Sequence, residues 1–187
     1  MGPKSSRREF LSWSLSATAA GAAGLAAPLV VTRGARAAVS AKSLSFYNIH
    51  TGELLKTVFW AEGRFLLDHL SEIDFVLRDF RTGDVREIDP KLLDLLYRLR
   101  RSVGSREPYH VISGYRSPKT NEMLRRQGGG GVAKTSYHMK GMAADVFLPG
   151  VGLKSLRKAA LAMKAGGVGY YPKPGFVHVD TGRVRFW

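Results

Sequence analysis

Apolar and polar positions recur with two different periods along this chain, and the switches between them mark its elements. Leu44–Ile49 and Leu54–Trp60 are short β-rich runs on either side of His50 to Glu53, where Gly52 suits a tight turn, so two strands are expected. Leu66, Leu70, Ile73, Leu77 and Phe80 then repeat at steps of four and three, the spacing of a helix with one buried face. Arg81 to Gly83 breaks that pattern. Asp89-Pro90 starts another helix, with Asp as N-cap and Pro at the first helical position; Leu92, Leu96, Leu99 and Val103 form its apolar stripe and Gly104 its stop. The basic residues Arg98, Arg100 and Arg101 sit where the negative end of the helix dipole favours them.

The second half alternates shorter pieces. Tyr109–Ser113 reads as a strand, Ser117-Pro118 opens a helix through Leu124, and Arg125–Gly131 is a basic glycine loop expected to act as a mobile flap. The apolar run Ala143–Leu148 is a short buried strand, and Leu153–Lys164 is a helix with Leu156, Ala160 and Met163 inward. Val168–Tyr171 and Phe176–Asp180 are two last strands, with Phe186 and Trp187 as an apolar plug. Together these predict an α+β fold: a small antiparallel sheet with helices beginning near Arg64, Asp89, Ser117 and Leu153 packed around it.

Two of the strands carry chemistry. His138 lies in the loop feeding Ala143–Leu148, and Asp145 points out of that strand. In Phe176–Asp180 a period of two places His178 and Asp180 on one face. Two imidazoles and a carboxylate are ligand types that zinc accepts, and a catalytic zinc keeps three protein ligands and an open fourth position. Taken one at a time, His138 also reads as an ordinary loop residue and His178 as a hydrogen-bonded core histidine. His50, at a turn, His69, beside a helix face, and His110 read as structural.

The run Ser136-x-His138-x-x-Gly141-x-Ala143-x-Asp145, followed by a strand histidine, resembles the zinc signature of the D-alanyl-D-alanine metallopeptidases with the hedgehog-type fold. Tyr47–Gly52, Ser113–Pro118 and Gly167–Tyr171 are similar to the murein endopeptidase K-like branch, and the likeness spans Leu44 to Trp187. The resemblance implies a peptidoglycan hydrolase with zinc on His138, Asp145 and His178. It also implies a role for Arg116, from the Ser-Gly-Tyr-Arg motif, in stabilising charge on the substrate. Better-known branches place a Glu or His two or three residues before the last zinc histidine; here those positions hold Phe176 and Gly175. Asp180 is the substitute candidate for general base, its rival reading being a carboxylate that orients His178. Tyr137 and Tyr170 are further possible proton donors.

Charge and composition narrow the setting. The chain has 187 residues and a formal charge of +14, with no Cys, so a disulfide framework and a thiolate-held metal are both excluded. Residues 1–37 contain five basic side chains (Lys4, Arg7, Arg8, Arg33, Arg36) and Glu9, leaving 24 basic against 14 acidic residues beyond them. A basic surface attracts polyanions; no helix with a basic stripe and base-facing polar residues points to nucleic acid, and the acidic cell wall is the expected partner. Ser6–Leu11 looks like a twin-arginine export signal, Phe10–Thr32 is uncharged, and Ala35-Arg36-Ala37 offers small residues at a cleavage site. The expectation is a signal peptide over 1–37, meeting the membrane only in transit, and a monomeric periplasmic or envelope metallopeptidase domain over 38–187. A carboxypeptidase trimming terminal D-amino acids (D,D- or L,D-) and a non-catalytic wall-binding module are the alternatives to a cross-link endopeptidase.

Overall fold

The computed structural model of the chain describes residues 41–127 and 132–187. The expected export segment and residues 128–131 of the expected flap lie outside them. No helix among the described residues is long and apolar enough to cross a membrane.

The elements run β1 (Lys42–Asn48), β2 (Leu54–Ala61), β3 (Arg64–Phe65), α1 (Leu67–Val76), α2 (Pro90–Ser102), β4 (Tyr109–Ser113), α3 (Pro118–Arg126), β5 (Ala143–Phe147), α4 (Leu153–Ala162), β6 (Gly167–Tyr171), β7 (Phe176–Asp180) and β8 (Arg185–Phe186). The fold is α+β, but the sheet departs from expectation. It has eight strands in the order β3-β2-β1-β4-β5-β7-β6-β8, and it is mixed rather than small and antiparallel. β1 pairs with β4 in parallel, as does β6 with β8. A parallel pair needs a crossover connection, and α1 and α2 supply it between β1 and β4. The pair β6/β8 arises because β7 turns back between them, so that the expected apolar plug is itself an edge strand.

Helix α2 is the centre of the core. Asp89 caps it by accepting from the Lys91 amide at 2.9 Å, with Pro90 at the first position. Its Leu92, Leu93, Leu95, Leu96 and Leu99 are buried against Leu44 and Phe46 of β1, Phe59 of β2 and Tyr109 of β4. The Tyr109 hydroxyl donates to the Leu96 carbonyl at 2.9 Å, so this buried phenol keeps its hydrogen bond. Burial pushes its pKa well above the usual phenol value, and it stays protonated.

Helix α1 ends at Val76, short of the expected Phe80. The reason is a competition for one carbonyl. Leu77 O accepts from the Tyr115 amide at 2.7 Å, and the Arg81 amide goes instead to Asp79 Oδ1 at 3.0 Å. This contact carries the segment after β4 tightly against the end of α1. Gly114 is required there, because a Cβ would collide with the Leu77 carbonyl oxygen. Gly141 has φ +68° and passes equally close to the Glu87 carbonyl.

Replacing Gly114 by Ala forces backbone to move at that crossing. Urea denaturation of Gly114→Ala is expected to show a loss of about 1–3 kcal/mol, the usual range for overpacking.

Candidate metal centre

The sheet brings the three expected ligands together at its middle. β5 pairs antiparallel with β7, and in that register Asp145 stands directly opposite His178. His138 comes from a single 3-10 turn, Tyr137–Lys140, whose N-cap Ser136 accepts from the His138 amide at 3.3 Å. Ligand atoms of His138, Asp145 and His178 all lie within 4.8 Å of one another. His138 Nε2 is 3.2 Å from His178 Nδ1 and 3.2 Å from Asp145 Oδ1, and His178 Nδ1 is 2.8 Å from the same oxygen. All three side chains are buried.

The outer nitrogens decide which atoms hold protons. His138 Nδ1 lies 2.7 Å from the Gly114 carbonyl, which can only accept, so Nδ1 carries the hydrogen and Nε2 a lone pair. His178 Nε2 lies 3.0 Å from Asp180 Oδ2 and donates to it, leaving a lone pair on Nδ1 of the neutral ring. With both rings neutral, two imidazole lone pairs and a carboxylate oxygen converge with no hydrogen between them. Such a cluster repels itself unless a cation or an extra proton joins it, and its donor set fits zinc.

The metal-free electrostatics agree. Burial holds His138 below its ordinary value, so it stays neutral. Burial opposes charge on Asp145 as well, yet the two histidines hold it ionised, well below the usual carboxylate range. Burial also disfavours charge on His178, but hydrogen bonds and charge from Asp145 and Asp180 outweigh this and push it up to about 9. Without metal, a proton on His178 takes the place of the cation.

Arg116 reaches the same centre from the segment after β4. One terminal nitrogen sits 3.4 Å from Asp145 Oδ2 and 3.4 Å from Ser113 Oγ, while its buried Nε has no partner. Asp180 lies on the other side of the His178 ring. It is fully buried and accepts from Gly167 N, Gly182 N and both terminal nitrogens of Arg185 as well as from His178. It can orient the ring from there; its oxygens do not face the space beside the converging lone pairs.

That space is an open cleft of about 440 Å³. Tyr137 lines it, whereas Tyr170 lies beneath Arg157 of α4 and it is the neighbouring Tyr171 that faces the cleft. Among the described residues lining it, Asp145 is the one side-chain carboxylate, and His138 and His178 are the two histidines. The sequence reading missed Arg185 and Trp187. Arg185 clamps Asp180, and the Trp187 ring packs 5.3 Å from the His178 ring in space left by the missing side chain of Gly169. His50, His69 and His110 lie elsewhere and are satisfied locally: His50 bonds the Ile112 carbonyl, His69 the Thr57 hydroxyl, and His110 packs between Tyr47 and Phe147.

The family model described as peptidoglycan L,D-endopeptidase MepK matches residues 36–187. A protein of Escherichia coli K12 named peptidoglycan L,D-endopeptidase MepK is 44% identical over 181 residues, 97% of this chain and 96% of its own length. A Haemophilus influenzae protein named probable peptidoglycan L,D-endopeptidase MepK is 46% identical over 145 residues, 77% of each chain. This chain belongs to the MepK family.

Two measurements test the centre in this MepK-family chain. Because His178 must give up a proton to bind metal, zinc affinity of the folded protein should fall about tenfold per pH unit below about 9, with one proton released per ion near neutrality. The sign for stability follows. A raised histidine pKa stabilises the metal-free fold fully below 6.5, and that contribution is lost as pH rises toward about 9. Asp180→Asn should weaken zinc binding about 10- to 100-fold, the usual cost of losing a group that orients a ligand histidine, read by competition with a chromogenic chelator.

Proposed function

We propose that this chain is a zinc endopeptidase of the cell envelope that hydrolyses amide bonds in peptidoglycan peptide cross-links, with His138, Asp145 and His178 as the zinc ligands. The observation that carries this reading is the convergence of two imidazole nitrogens and a carboxylate oxygen within 4.8 Å of one another beside an open cleft. The names of its relatives supply the substrate class. We place the fold with the hedgehog-type peptidases on the motif order. We also keep residues 1–37 as a twin-arginine export segment ahead of a monomeric enzyme domain.

Zinc held there would act as a Lewis acid and lower the pKa of an attacking water. The chain's own groups do the rest. Arg116, held beside Asp145 with an unpartnered Nε, offers N–H groups to negative charge developing on the scissile carbonyl oxygen. Asp180 takes the positioning role: it fixes the His178 tautomer so that Nδ1 keeps its lone pair. With no second side-chain carboxylate among the described residues lining the cleft, the hydroxyls of Tyr137 and Tyr171 are the candidates for returning a proton to the leaving amine.

The test pairs metal analysis with product analysis. The wild type should hold about one zinc per chain and convert cross-linked muropeptide dimers into monomers, resolved by liquid chromatography and mass spectrometry. His138→Ala should lose both metal and cleavage. Arg116→Ala should keep its zinc and lose about 10²- to 10³-fold in kcat, the usual cost of one oxyanion donor. A folded wild type without metal, or undiminished cleavage by His138→Ala, would overturn the reading. Action on uncross-linked peptides alone would make it a carboxypeptidase.

A further inference from the structure

Among the described residues, four cationic side chains line the cleft: Arg116, Lys140, Arg183 and Arg185. Two are matched, since Arg116 lies 3.4 Å from Asp145 Oδ2 and Arg185 lies 2.7 Å from Asp180 Oδ2. Lys140 and Arg183 are exposed and pair with no carboxylate among the described residues. They come from different segments, yet one ring joins them. Lys140 Nζ sits 5.5 Å from the centre of the Tyr137 ring. Gly182, which precedes Arg183, lies so close to that ring that any Cβ would collide with it. Lys140 thus lies over the ring next to His138 in sequence, as the matched Arg185 also does, the backbone leading into Arg183 packs against the same ring, and both unmatched cations line the one cleft. A cleft lined by charge of one sign focuses field on its contents and selects an anionic ligand.

The substrate has a matching group, if the function proposed above holds and the bond is the L,D amide that the relatives' names specify. An L,D amide joins the carboxyl of an L-centre to the amino group of a D-centre. The D-centre keeps its own carboxyl group, two bonds from the nitrogen that leaves. We infer that Lys140 and Arg183 bind this carboxylate, making them specificity-determining residues for the leaving-group side of the scissile bond. Neither makes a hydrogen bond or ion pair to His138, Asp145 or His178, so they act on substrate binding and not on the three candidate ligands.

The test compares a cross-linked muropeptide carrying the free carboxylate with the same compound amidated at that position. Wild type should prefer the free form by about 10-fold in kcat/KM, mainly through KM. Lys140→Ala and Arg183→Ala should each reduce the preference about 3- to 5-fold, the range for a partly exposed ion pair, and the double variant should abolish it. Lys173→Ala, an exposed cation in the β6–β7 turn outside the cleft, is the control and should keep the preference. Wild type cleaving both forms equally would overturn this inference while leaving the endopeptidase standing. Equal losses on both forms in the variants would also overturn it, assigning the cations to general attraction for anionic polymer. Wild type cleaving neither form would overturn the proposed function and this inference with it.

Discussion

The structure turns on one cross-strand pair, Asp145 of β5 opposite His178 of β7. An ionised carboxylate in the middle of a sheet is costly unless its charge is answered on every side. Here Asp145 meets His178 at 2.8 Å, His138 at 3.2 Å and Arg116 at 3.4 Å. Each of those partners is tied down by a further group. Gly114 O holds the His138 ring, Asp180 holds His178, and Ser113 shares Arg116. Removing any one of these partners leaves buried charge uncompensated, which explains why so many separate segments converge on so small a volume.

Parts of the fold outside the cluster serve that convergence. The end of α1 receives the segment after β4 through Leu77 O, and Asp79 accepts from the Ser117 amide at 2.8 Å and the Arg81 amide at 3.0 Å. Arg116 is thereby gripped on both flanks by a buried scaffold, and its own amide reaches the His138 carbonyl at 3.3 Å. The arginine and the histidine are consequently set by one piece of backbone, and their separation does not depend on an exposed loop. On the opposite side β8 carries Arg185 back to Asp180, so that the outer hold on His178 also comes from strand pairing.

What could be read in the sequence was whatever local spacing encodes. The α2 stripe of Leu92, Leu96 and Leu99 is buried, because a helical period and a cap at Asp89 need no distant information. Strands β5 and β7 fall where their apolar runs are, and the period of two does put His178 and Asp180 on one face. That period cannot say that the imidazole stands between two carboxylates, with Nδ1 toward Asp145 and Nε2 toward Asp180. Strand order was equally out of reach: short strands carry no mark of direction, so the parallel pairs β1/β4 and β6/β8 have no local signature. Arg185 and Trp187 were missed for the same reason, since each acquires its place by pairing across β6.

The charge arrangement of the cleft follows from these constraints. Its floor is a carboxylate between two imidazoles, a place built for a small cation. Its walls are cationic, and the wall cations nearest the floor are already spent on Asp145 and Asp180. Each negative group of the centre is thus matched from within the protein, and the outer wall keeps an excess of positive charge facing the open mouth. A substrate entering such a cleft is steered by its anionic groups before its amide meets the centre. Two of the chain's surplus cations, Lys140 and Arg183, thus face the cleft that an acidic, peptide-bearing polymer would have to enter.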